Sequence, residues 1–162
     1  MNRRGFLHLL GAGLAAGLLP LGCAGPERTR AVLNALCRRI VGPRGAALID
    51  GGAVDPPARA EAWLASLGPA AADLRGALLL LELGVWPLVP KLRPFTSLDD
   101  AAQDAVLADL MDSRWALKRQ LFAGLKTLAC LAFYAAPESH DLIGYPGPFA
   151  DPSEAMSYPA DA

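Results

Sequence analysis

The feature that most constrains this chain is the spacing of its apolar residues. They recur every three or four positions in five stretches, and glycine or proline cuts each stretch from the next. The longest stretch runs from Ser113 to Ala136. Leu117, Leu121, Leu125, Leu128 and Ala132 line one stripe, Phe122, Ala129 and Phe133 widen it, and Pro137 stops it. No segment combines two-residue alternation with flanking hairpin turns, so strands have no support. With 53% hydrophobic and 19% charged residues the chain lies far from the disordered class. Its formal net charge of -1 gives no overall electrostatic footprint for nucleic acid.

The remaining helices follow from the same signals. Between Thr29 and Val41, residues Val32, Leu33, Leu36, Cys37 and Ile40 share a face opposite Arg38 and Arg39. Gly42-Pro43 stops that helix, and residues 42–55 read as a Gly-rich loop. Asp55 is a candidate N-cap, with Pro56 and Pro57 in the first turn of a helix reaching Leu67. Gly68 terminates it and Pro69 starts the next. That next segment, 70–85, carries Leu74, Leu78, Leu79, Leu80, Leu81 and Leu83, which predicts the central buried helix. Its Glu82 is either paired or solvated at an edge. Trp86 to Pro90 break the helix, and Ser97, with Asp100 three residues on, opens another as a variant capping box. Asp99, Asp100 and Asp104 suit that helix's N-terminal half and lack the spacing of a calcium loop. Arg114, Lys118, Arg119 and Lys126 form a basic stripe on the last helix, read as solvated surface. The expectation is an all-α fold: a compact orthogonal domain of about five helices spanning 25–143.

Both ends differ from this body. Residues 1–24 have the layout of an export signal: Arg3 and Arg4, then a glycine- and leucine-rich core without acidic residues. The pair followed by Gly5, Phe6 and Leu7 resembles a twin-arginine signal, which carries folded cargo. Leu21-Gly22-Cys23 resembles a lipobox, so Cys23 is a candidate for lipidation, and cleavage after Ala24 competes with it. Removing this leader takes two basic residues and no acid, leaving a more acidic chain. Residues 144–162 are rich in proline yet carry Tyr145, Phe149, Met156 and Tyr158. Such an extended tail either lies in grooves of another protein or folds back on its own core.

Chemistry-bearing residues are few. There are 2 histidines and 3 cysteines, without a CxxC pair or a zinc-like spacing. No GxGxxG follows a strand. His8 lies in the leader, so a catalytic reading rests on Glu82, His140 and Asp141 alone. Cys37 and Cys130 both sit on apolar helical faces. They are either buried free thiols or, after export, a disulfide.

Several segments, taken in order, carry a family resemblance. They are Leu36-Cys37-Arg38-Arg39-Ile40-Val41, Pro94-Phe95-Thr96-Ser97-Leu98, Met111-Asp112-Ser113-Arg114, Leu117-Lys118-Arg119-Gln120-Leu121-Phe122, Ala132-Phe133-Tyr134 and Ile143-Gly144-Tyr145-Pro146-Gly147-Pro148. Beside the twin-arginine leader they resemble the gluconate 2-dehydrogenase subunit 3 family, over most of 29–149. Val41-Gly42-Pro43-Arg44 departs from it, standing where the family has a proline-acid ending to the first helix. The resemblance implies a non-catalytic subunit without a cofactor of its own. It also implies a large FAD-bearing partner of the glucose-methanol-choline type, with a cytochrome c subunit as a further component. The small subunit carries the export signal and escorts the folded partner through the twin-arginine translocase to the periplasm. Hot spots favour aromatics, so the expected partner contacts are Tyr145, Pro146, Pro148 and Phe149, then Trp115 and Phe95. The alternative function is a stand-alone exported or lipid-anchored helical binding protein.

Overall fold

The computed structural model describes residues 25–66, 68, 70–84, 89 and 93–145. Among them, seven α-helices and two 3-10 turns follow one another with no strand, so the fold is all-α. Helix α1 spans Pro26–Ile40. Proline at its start loses no hydrogen bond, and Glu27 in the first turn with Arg38 and Arg39 in the last complements the helix dipole. Val32, Leu33, Leu36 and Cys37 form its buried face.

The expected loop over 42–55 is a correction: Gly42–Asp50 form a second helix, α2. Gly42, at φ 73°, turns the chain, and Pro43 lies in the first turn, where it starts a helix rather than ending one. Gly45 then lets α2 approach the longest helix. A Cβ there would stand 2.5 Å from Val41 Cγ2 and 3.1 Å from Phe133 Cζ. Helix α3 is Pro56–Ser66. Asp55 caps it as expected, its Oδ1 accepting from the Ala58 N–H at 3.1 Å. Gly68 adopts the left-handed conformation, and α4 follows over Ala70–Leu83.

A 3-10 turn over Phe95–Ser97 leads into α5, Asp100–Met111. The cap here is Asp99, not Ser97: the Asp99 carboxylate accepts from the Ala102 N–H at 2.8 Å. The Ser97 hydroxyl instead donates to the Pro94 carbonyl at 2.8 Å and closes the preceding turn. Helix α6 covers Ala116–Tyr134. A turn over Pro137–Ser139 and the short α7, His140–Ile143, end at the left-handed Gly144.

The hub is not α4 alone. Helices α1 and α6 pack on each other and both touch α3, α4 and α5, so the first and the longest helix form the axis. Phe95, Phe133, Leu36, Leu78, Leu81, Leu110, Leu125 and Leu128 are fully buried around it. Each such side chain contributes about 1.5–3 kcal/mol of burial. Two buried polar side chains are satisfied from within, whereas the buried Asn34 Oδ1 has no hydrogen-bond partner among the described residues. Gln103 Nε2 donates to the carbonyls of Phe95 and Leu98, and the Ser139 hydroxyl donates to that of Ala136.

Candidate interaction surface

Glu82, one of the three residues on which a catalytic reading rests, is a clasp. Its carboxylate is 1% exposed. Oε2 accepts from the Thr96 N–H at 3.0 Å, Oε1 accepts from the Thr96 hydroxyl at 2.8 Å, and Arg28 Nε stands 3.8 Å away. The end of α4 is thereby tied to the first 3-10 turn and to the start of α1. His140 packs edge-on against Tyr145 at 4.9 Å, and Asp141 is exposed in the first turn of α7. Among the described residues no group of three or more His, Cys, Asp or Glu side chains could hold a metal ion.

Of the expected contact residues, Phe95 is a correction. It is 0% exposed and belongs to the core, because the 3-10 turn that Glu82 clasps aims its ring inward. Trp115 is 52% exposed and stands on the elbow between α5 and α6. The elbow is tightly held. The Trp115 N–H donates to Ser113 Oγ at 3.1 Å, and Arg119 Nη1 donates to the Ser113 carbonyl at 2.6 Å. Lys118, on the turn below, is buried and reaches back to Asp109 at 2.7 Å, with its ammonium 5.9 Å from the Trp115 ring centre. The basic stripe therefore divides: Lys118 and Arg119 hold the elbow, whereas Arg114 and Lys126 remain on the surface.

Met111, the last residue of α5, is exposed on the same elbow and borders a cleft of about 280 Å³. Ile40, Leu107 and Phe122 give that cleft apolar walls, and Lys126 and the Arg39–Asp104 pair form its polar margin. Arg39 donates to Asp104 at 2.8 and 2.7 Å and pairs with Asp100 at 2.6 Å. The hydrogen bonds from Arg39 hold the Asp104 carboxyl below the usual carboxylate range.

Tyr145 is also exposed, with Ile143 beside it, but at the other pole of the molecule. It lies just past α7, beyond the C-terminal end of α6, and Trp115 lies at the N-terminal end. The 19 residues of α6 put about 28 Å between those ends. Arg59 anchors the far pole, donating to the Ala135 carbonyl and pairing with Glu138. Sequence reasoning missed Met111, Ile143 and Leu131 as exposed apolar groups. For Met111 and Leu131 the available signal was their position off the buried stripe of their helices. Pro146, Pro148 and Phe149 lie outside the described residues, as do Arg3, Arg4, Phe6, Leu7 and Cys23.

Cys37 and Cys130 carry free thiols, the first buried and the second half-buried. A wider cleft of about 460 Å³ lies between α1 and the start of α3, lined by Glu27, Arg30, Asn34 and Asp55 among others. Arg30 is already engaged there by Glu61 and Asp55. No helix of the described residues is long and apolar enough to cross a membrane. No protein-family model, curated protein or solved structure matches this chain.

Proposed function

We propose that this chain is a non-catalytic small subunit, of the gluconate 2-dehydrogenase subunit 3 type, that binds an exported flavin-dependent dehydrogenase and escorts it in the folded state. The Trp115 elbow is the observation that carries this reading. A large aromatic side chain is held out of the core by a fixed network, next to exposed Met111 and an apolar cleft. An anchor that is ordered before binding loses little entropy when a partner covers it.

The logic of escort is physical. A flavoprotein takes up FAD in the cytoplasm, so it must leave folded. If it has no leader, it must bind something that has one. In this reading Arg3, Arg4, Phe6 and Leu7 address the twin-arginine translocase. Trp115 and Met111 grip the large subunit at one pole, and Tyr145, with Pro146, Pro148 and Phe149, grips it at the other. FAD resides in the partner, a cytochrome c subunit takes the electrons, and a lipidated Cys23 keeps the complex at the outer face of the cytoplasmic membrane.

Co-expression with a leaderless glucose-methanol-choline flavoprotein from the same genome tests this. Both proteins and the flavin absorbance should appear in the periplasm, and replacing Arg3 and Arg4 by lysine should strand both inside. Export of the flavoprotein despite that change would defeat the escort reading. Export of this chain alone, without flavin, would favour the stand-alone binding protein.

A further inference from the structure

Two thiols on opposite sides of one helix–helix contact have no part in the escort reading. Cys37 lies on the inner face of α1 and is 0% exposed. Its Sγ is 3.8 Å from the carbonyl oxygen of Ala129, the residue immediately before Cys130 on α6. Cys130 sits at the margin of the buried stripe of α6 and is half-buried, so solvent reaches it. Helices α1 and α6 are the packed axis of the fold, which holds this juxtaposition in place.

We infer that Cys37 and Cys130 are an oxidation site, closing into a disulfide that joins α1 to α6 when the chain meets a disulfide oxidant. The reaction takes place in two exchanges. Cys130, the reachable thiol, loses its proton to solvent and attacks one sulfur of the oxidant. A Cys130–oxidant mixed disulfide forms and the oxidant's other half leaves as a thiolate. Cys37 then gives up its proton and attacks Cys130 Sγ, expelling the second half. Two protein thiols become one disulfide, the oxidant takes both electrons, and its two halves end as thiols.

The order follows from the environments. Burial, reinforced by the neighbouring Cys130, pushes the Cys37 thiol up to about 12, so it is a poor opening nucleophile. Its location against Ala129 suits it to the second, intramolecular exchange. The bond would close a long loop between the first and the longest helix, the arrangement in which a cross-link most restricts the unfolded chain.

The test uses the full chain carrying Cys23→Ser, so that Cys37 and Cys130 are the remaining thiols. The protein is equilibrated in glutathione buffers from reducing to oxidising, quenched with acid, unfolded, alkylated and weighed. The expected result is a fall from two alkylated thiols to none, with no retained glutathione. The peptide containing Cys37 should be linked to the one containing Cys130, and the oxidised form should melt at a higher temperature. Adding Cys37→Ser should stall the reaction as a glutathione adduct on Cys130, and adding Cys130→Ser should leave Cys37 unmodified. Two free thiols in the most oxidising buffer, or an adduct on Cys130 with Cys37 still free, would overturn the inference. Rapid glutathione uptake by Cys37 in the Cys130→Ser variant would overturn the proposed order. None of these outcomes depends on the flavoprotein, so the site and the escort reading stand or fall separately.

Discussion

Among the described residues two charged side chains, Glu82 and Lys118, are withdrawn from solvent, and they do opposite work. Glu82 is surrounded: Thr96 gives it two hydrogen bonds and Arg28 faces it from α1. Its charge closes the interior around Phe95. Lys118 is nearly as buried, at 7% exposure, but its ammonium reaches outward to Asp109 and lies beside Trp115. Its charge supports the surface. The difference shows that burial of a charge does not by itself mark chemistry. The groups at the end of the side chain decide whether it locks the core or presents a neighbour.

The comparison can be broken at its core side first. Phe95→Ala should cost about 3–5 kcal/mol, because a fully buried ring is lost and the site cannot collapse around it. Glu82→Ala should cost about 3 kcal/mol, since it leaves the Thr96 N–H without its acceptor in a part-buried site. Denaturant unfolding checks both, and a loss below about 1 kcal/mol in either would remove the clasp from the account.

The elbow should behave in the reverse sense. Trp115→Ala should lower stability by less than about 1 kcal/mol, the scale of an exposed cation–π contact. It should weaken partner binding by about 2 kcal/mol or more, as a hot spot does. Parallel unfolding and binding titrations separate the two effects, and a large stability loss with unchanged affinity would show that Trp115 serves the fold. Lys118→Met keeps the buried stem and removes the charge. It should loosen the Trp115 ring, detectable as a change in indole fluorescence, while the helices persist.

The smallest effect belongs to the margin of the cleft. Arg39 holds the Asp104 carboxyl low in the folded state, so the pair stabilises the fold above the carboxyl's unfolded value. That contribution fades as pH falls through the lower, folded value. Asp104 is 53% exposed, so screening keeps the effect below about 1 kcal/mol. Asp104→Asn should match the parent in strong acid and fall slightly behind near neutrality, with the gap closing in high salt.

These contrasts also show what the sequence could tell. Asp55 before Pro56, Gly68 and Pro137 marked helix boundaries because each acts through its own backbone. Helix α2 was hidden: nine residues containing two glycines offer too little periodicity to recognise. Ser97 and Asp99 are both capping types, and only the geometry at Ala102 chose between them. At its start the stripe of α6 lies one residue out of register with the leucine spacing. Leu117 is exposed and Lys118 takes the buried place, since a lysine's aliphatic stem can fill an apolar position while its head reaches a carboxylate. Phe95 carried no local sign of its burial, which depends on the hold of Glu82 on Thr96, fourteen residues away.

The most direct test of the central claim separates leader from grip. The leaderless flavoprotein is co-expressed with the parent chain or with Trp115→Ala, both keeping Arg3 and Arg4, and periplasmic flavin is measured. The account predicts flavin in the periplasm with the parent chain, and a strong reduction with Trp115→Ala although that chain still exports. Equal periplasmic flavin in the two cases would contradict it.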